Sequence, residues 1–303
     1  MRTFRYLQLD VFTDRQFGGN QLAVFPDATG MAPEEMQAIA REMNFSESTF
    51  VLSSTEASAL RRVRIFTPAT ELPFAGHPVI GTTWALAHEG VIREADAMPV
   101  ILQLGVGNLP VELLFEERAA SFVWMHQPIP SFSAWAGEQT ALAAALGVDS
   151  ADLDDTLPIE LGSAGVPFIY LPLRSTSALA KARPSPDLLK VLGDSSAHLG
   201  IYLFVFQRED GPSVRSRMFA PGMGVSEDAA TGSAAGPLGA YLLRHGSLRL
   251  DAGGDARLRI AQGIEMGRAS YITVNVTSHE GSVTDVRVGG EAVVVASGEF
   301  YLR

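Results

Sequence analysis

Apolar and polar positions alternate along "YLQLDVF" (Tyr6–Phe12), the pattern of a strand with one buried face. "FGGNQLAVFPDA" reads as a turn, a strand and a turn. In "APEEMQAIAREMN" the apolar residues Met36, Ile39, Ala40 and Met43 share one helical face. Pro33 and two Glu residues in the first turn fit a helix start. "SESTFVL" begins a new strand, and "RRVRIFTPATELPFAG" is a strand running into a loop. Then the pattern changes. From Pro78 to Gly90 there is almost no charge and no polar face, which predicts a helix buried on every side.

The second half repeats this order. "GSAGVPFIYLPL" is a turn and a strand, "SPDLLKVLGD" a helix, and "LGIYLFVFQ" a strand. "VRSRMFAPGMGVSEDAATG" is a strand and a loop before a second apolar helix. "RIFTP" at 64–68 answers "RMFAP" at 217–221, and Glu71 answers Glu227. From there Gly76 pairs with Gly232, Leu86 with Leu242 and Gly90 with Gly246 at a constant offset of 156. This spacing implies an internal duplication rather than a short-period solenoid. The fold class expected is α+β, with two pseudo-symmetric domains, each a curved, mostly antiparallel sheet wrapped around its apolar helix. The closing Gly90 and Gly246 fit helix C′ positions. The expected halves are 1–127 and 128–290, with the last strand, about 291–303, returning to the first sheet.

Composition narrows the chemistry. The chain has 303 residues, a net charge of -11 and no cysteine. The negative charge argues against nucleic acid as a partner. Without cysteine there is no thiol nucleophile and no thiolate metal site. The two lysines, Lys181 and Lys190, lie in "ALAKARPSPDLLK", expected to be a surface loop entering a helix, which disfavours Schiff-base chemistry. The six histidines show no zinc spacing. Phosphate-loop, dinucleotide and serine-hydrolase motifs are lacking. No apolar run suits a signal peptide or membrane span, so a cytoplasmic address is expected. The chemistry is left to carboxylates, histidine, hydroxyls and backbone amides.

A helix N-terminus presents unpaired N–H groups and partial positive charge, and small residues there admit a ligand. The two helix N-termini, with Gly76 and Gly232 beside them, could therefore face one cleft and bind a carboxylate. Either glycine alone reads as well as a tight turn. His77, beside a helix start, is expected to be neutral, yet alone it could be a satisfied core histidine. Asp228 could be a capping residue, and Thr231 and Ser233 are donors in its loop. Glu47 starts an apolar strand. It could be solvated, or it could be a carboxylate in a partly dry cleft, where burial would raise its pKa into a useful range.

On these segments the chain resembles the PhzF-like family of phenazine biosynthesis, which shares the diaminopimelate epimerase fold. "GNQLAVF", "REMNFSESTFV", "RIFTPATELPFAGHPVIGT", "SRMFAPGMGVSEDAATGSAAGPLGAYL" and "QGIEMGR" carry the resemblance over nearly the whole chain. The epimerase relatives place one cysteine at each helix start, so their two-thiol mechanism is not available here. The resemblance implies an isomerase without cofactor or metal, acting on trans-2,3-dihydro-3-hydroxyanthranilic acid. It gives proton transfer to Glu47 and support to His77 and Asp228. Ser46, Gly76, Thr231, Gly232 and Ser233 would bind the substrate. Ala229 and Ala235 stand where many relatives of unassigned function have Pro and His, a pattern shared with the phenazine isomerase. A homodimer is expected from the family. A racemase of another small acid, or a binding protein without catalysis, remain alternatives.

Overall fold

The computed structural model describes residues 1–96, 98–208 and 213–303. It divides into two compact units, Met1–Gln127 with Arg287–Arg303, and Pro128–Val286. In the first unit the strands are β1 (Arg2–Val11), β2 (Asn20–Phe25), β3 (Glu47–Leu52), β4 (Arg61–Phe66), β5 (Glu71–Leu72), β6 (Val100–Leu104), β7 (Gly107–Glu116) and β8 (Ala119–Gln127). Helix α1 (Pro33–Met43) precedes β3, and α2 (Gly76–His88) follows β5. In the second unit β9 (Ser131–Ala134) and α3 (Gln139–Ala145) come first, then β10 (Glu160–Ser163) and β11 (Pro167–Pro172). Two short helices follow, α4 (Thr176–Lys181) and α5 (Leu188–Leu192), then β12 (Gly200–Gln207), β13 (Ser213–Ala220) and β14 (Val225–Asp228). The rest is α6 (Gly232–Arg244), β15 (Asp255–Gln262), β16 (Ser270–His279), β17 (Ser282–Gly290) and β18 (Ala292–Leu302). Strand β17 carries the chain back to the first unit, where β18 pairs antiparallel with β1.

The two units share one pairing scheme. In the first, β1–β2 is antiparallel, β2–β3 parallel, β3–β4 and β4–β5 antiparallel, β4–β6 parallel and β6–β7 antiparallel. In the second, β10–β11, β11–β12, β12–β13, β13–β14, β13–β15 and β15–β16 follow the same sequence of senses. An Arg–Glu fork recurs at the hairpin of each unit. Arg64 holds Glu71 with two bonds of 2.7 Å, and Arg217 holds Glu227 at 2.7 and 2.8 Å.

The uncharged runs form buried helices because they offer no face to water. Ten of the thirteen residues of α2 are buried, and ten of the thirteen of α6. Helix α2 packs against β1, β2, β3, β7, β8 and β18, strands from both ends of the sheet, so the sheet curls around it. Helix α6 packs against β10, β11, β15 and β16. Close approach requires glycine at two points. A Cβ on Gly81 would lie 2.6 Å from Leu22 Cδ2, and one on Gly239 would lie 2.7 Å from Val274 Cγ1. Both helices end alike. Gly90 (φ 70°) and Gly246 (φ 71°) take left-handed C′ positions. Val91 N–H and Ser247 N–H reach back to the Leu86 and Leu242 carbonyls. A second core covers the opposite side of each sheet. Met36, Ile39 and Ala40 of α1 lie on Phe25, Phe50 and Phe66, and α3, α4 and α5 lie on Ile169, Leu171, Ile201 and Leu203.

Three local expectations need correction. Helix α2 begins at Gly76, not Pro78, so Gly76 and His77 belong to its first turn. "ALAK" is not loop but the end of α4, where Ser175 caps the helix by accepting from Ala178 N–H at 3.1 Å. Asp228 is not in an open loop but ends β14, opposite Met218.

Candidate active site

Strand β2 runs parallel to β3, with Leu22 opposite Glu47, so the starts of both strands lie at the same end of the sheet. The α2 N-terminus meets them there. A buried hydroxyl pair, Thr82 Oγ1 donating to Thr49 Oγ1 at 2.8 Å, ties the helix to β3. The result brings three polar side chains of the first unit together around His77.

His77 is buried, and its Nδ1 lies 3.1 Å from Asn20 Nδ2. Ser46 Oγ donates to Asn20 Oδ1 at 3.1 Å. With the Asn20 amide as donor, Nδ1 is an acceptor and the neutral ring carries its proton on Nε2. His77 Nε2 lies 3.5 Å from Glu47 Oε2, and it has no hydrogen-bond partner among the described residues. Burial lowers the His77 pKa from 6.5 to about 3, and an interaction with the Gln21 backbone offsets part of that. Desolvation by burial thus acts in the same direction as the helix dipole expected to keep the ring neutral. The Glu47 side chain is mostly covered, 16% exposed. A carboxylate beside a neutral imidazole that can donate but is not charged is an arrangement suited to moving protons.

The second unit holds the remaining candidates. Thr231 is the N-cap residue of α6, and Gly232 is the first residue of that helix. The Thr231 hydroxyl does not cap the helix; it donates to Asp228 Oδ2 at 2.6 Å. Arg217 anchors the neighbouring Glu227 and donates to the Leu179 and Ala182 carbonyls at 3.1 and 2.8 Å. That buried guanidinium fixes the strand that delivers Asp228. Ser46, Glu47, Gly76 and His77 therefore lie together in the first unit, and Asp228, Thr231, Gly232 and Ser233 in the second. Asn20 and Gln262, which bind these groups, did not emerge as site residues from sequence, although both sit in the family segments "GNQLAVF" and "QGIEMGR".

The phenazine biosynthesis-like protein family model matches residues 9–298. The chain belongs to this family. A trans-2,3-dihydro-3-hydroxyanthranilate isomerase of Pseudomonas fluorescens is 39% identical over 297 residues, covering 98% of this chain and 99% of the relative. An uncharacterized isomerase of Clostridium acetobutylicum is 34% identical and covered in full on both sides. The crystal structure of a PhzF-family phenazine biosynthesis protein of Bacillus anthracis superposes with a TM-score of 0.89, at 30% identity and full coverage of both chains. A probable proline racemase of Agrobacterium radiobacter shares the fold, with a TM-score of 0.64 at 13% identity, covering 99% of this chain and 93% of that one. PhzF relatives with an activity in their names are isomerases, which supports an isomerase here. Among the described residues no cluster of side chains could hold a metal ion, and no helix is long and apolar enough to cross a membrane.

Proposed function

We propose that this PhzF-family protein is a cofactor-free isomerase of trans-2,3-dihydro-3-hydroxyanthranilic acid. Glu47 takes the proton from C3 as the C3–H electron pair shifts through the diene. The same carboxylic acid returns a proton to C1 on the same face, and the resulting enol relaxes to the ketone. His77 and Asp228 hold the amino and hydroxyl groups and help move protons. Amides and hydroxyls near Gly76, Gly232 and Ser233 hold the substrate carboxylate, and Ser46 and Thr231 line the substrate site beside them. A cytoplasmic homodimer belongs to the same proposal.

The observation that carries the reading is the covered Glu47 carboxylate 3.5 Å from an imidazole that burial keeps neutral. A donor of that kind can support a carboxylate without neutralising it as a base. The names of the 38–39% identical relatives point to the substrate. The test is incubation of the purified protein, dialysed against chelator, with trans-2,3-dihydro-3-hydroxyanthranilic acid. Loss of substrate and growth of coloured tricyclic products is the expected result. Binding of an anthranilate analogue by calorimetry with no turnover would instead make the protein a binder. Deuterium incorporation from solvent into a different small acid would make it a racemase or isomerase of that acid.

A further inference from the structure

Gln262, the last residue of β15, is fully buried and its side-chain amide has four partners. Nε2 donates to the Asp228 backbone carbonyl at 2.8 Å and to Thr231 Oγ1 at 2.9 Å. Oε1 accepts from the Thr231 backbone N–H at 3.2 Å and from the Tyr202 hydroxyl at 3.0 Å. The orientation of this amide follows from chemistry. A backbone carbonyl can only accept and a backbone N–H can only donate, so turning the amide over would oppose like groups at both. The constraint passes along the chain of bonds. Tyr202 gives its proton to Gln262, so it accepts from Ser216 Oγ at 2.9 Å. Burial raises the Tyr202 pKa and keeps the phenol protonated for that task. Thr231 has one hydroxyl proton and receives one bond from Gln262, so its own proton goes to Asp228 Oδ2 at 2.6 Å. The direction of donation is thus fixed from Ser216 through Tyr202, Gln262 and Thr231 to the Asp228 carboxylate.

We infer that Gln262 is a positioning residue for Asp228. It clamps the turn from Asp228 to Thr231 by its backbone and forces the Thr231 hydroxyl to donate to the carboxylate. This rests on the proposed role of Asp228 in catalysis. Gln262 reaches that turn across 34 residues of chain, and an unmade bond there would leave several buried polar groups unpaired. It acts through Asp228 and not on substrate.

The experiment is a double-mutant cycle on the full chain, read as kcat/KM for trans-2,3-dihydro-3-hydroxyanthranilic acid. Gln262→Glu keeps the shape but replaces the donor with an acceptor, so the Asp228 carbonyl loses its partner and the Thr231 hydroxyl turns away from Asp228. Activity is expected to fall about a hundredfold, the scale of a misplaced catalytic group. In the Asp228→Asn background the same change should cost less than about threefold. Independent, multiplicative losses would show that Gln262 does not act through Asp228, and an unimpaired Gln262→Glu enzyme would overturn the inference outright. Should Gln262→Glu fail to fold, Thr231→Val runs the same cycle, and Thr231→Ser, which keeps the hydroxyl, should restore activity. Failure of Thr231→Ser to do so would count against the relay. If Asp228→Asn itself turns over normally, the catalytic role of Asp228 falls and the inference falls with it. A dead Asp228→Asn beside an active Gln262→Glu removes the inference alone.

Discussion

The neutral state of buried His77 makes a quantitative prediction about stability. In the folded protein the ring takes up a proton only near pH 3, against 6.5 when unperturbed. Unfolding exposes it, so below 6.5 the unfolded chain binds a proton that the native one refuses. Stability contributed by the neutral ring is therefore complete above that value and is lost progressively as pH falls towards 3. The loss is about 1 kcal/mol at about pH 5.5 and about 3 kcal/mol at about pH 4.5, saturating near 5 kcal/mol below the folded pKa. Other groups also titrate in this range. Comparison with His77→Asn removes them, because the variant shares every other titratable group. Urea unfolding of both proteins between about pH 7.5 and 4.5 should show the wild type losing about 3 kcal/mol more than the variant. Parallel pH dependences would refute the reasoning, because they would mean that the ring is solvated or shares a charged state with Glu47. The same pKa implies that no limb of the activity profile between about pH 5 and 8 belongs to His77.

Further outcomes follow from the packing. Arg217→Lys gives up a buried fork and two carbonyl contacts, so it should destabilise the protein by about 3 kcal/mol in urea melts. Arg64→Lys breaks the matching pair where Glu71 is 42% exposed, and should cost under about 1 kcal/mol. Gly239→Ala forces a methyl to within 2.7 Å of Val274 Cγ1 and 3.0 Å of Val276 Cγ2, and should cost about 1–2 kcal/mol despite better helix propensity. Asn20→Ala removes the donor from His77 Nδ1; nitrogen-15 spectra should then change from the Nε2–H form alone to a mixture of tautomers, whereas an unchanged spectrum would show that Asn20 does not set the proton.

The parts of this protein legible in its sequence are those with local signatures. An uncharged run closed by glycine declares a buried helix, because no other element could hide all sides of it. Alternation declared most strands, and the constant offset of 156 from Glu71 and Glu227 onward, after the matching RIFTP and RMFAP segments, exposed the relation between the halves. His77 stood out beside its helix start, whereas bulk properties alone did not single out Glu47. Their 3.5 Å approach depends on the parallel pairing of β2 with β3, which periodicity does not encode. Asn20 and Gln262 were passed over for a related reason. Each is a polar residue at the end of an apolar strand, ordinary in its own segment, and each finds its partners 26 to 60 residues away. The extended β14 at Asp228 was hidden by a stretch of Gly, Ser and Ala that reads as loop. Arg217 bonding to Glu227 and to carbonyls at the end of α4 holds it in place.

Glu47 as the proton-transferring group is the centre of this account, and Glu47→Gln tests it most directly. The amide keeps the size and polarity of the side chain but cannot take a proton from carbon. Turnover of trans-2,3-dihydro-3-hydroxyanthranilic acid by folded Glu47→Gln should fall by at least about a thousandfold, within the range of general acid–base catalysis, while an anthranilate analogue still binds. Turnover within tenfold of wild type would contradict the account.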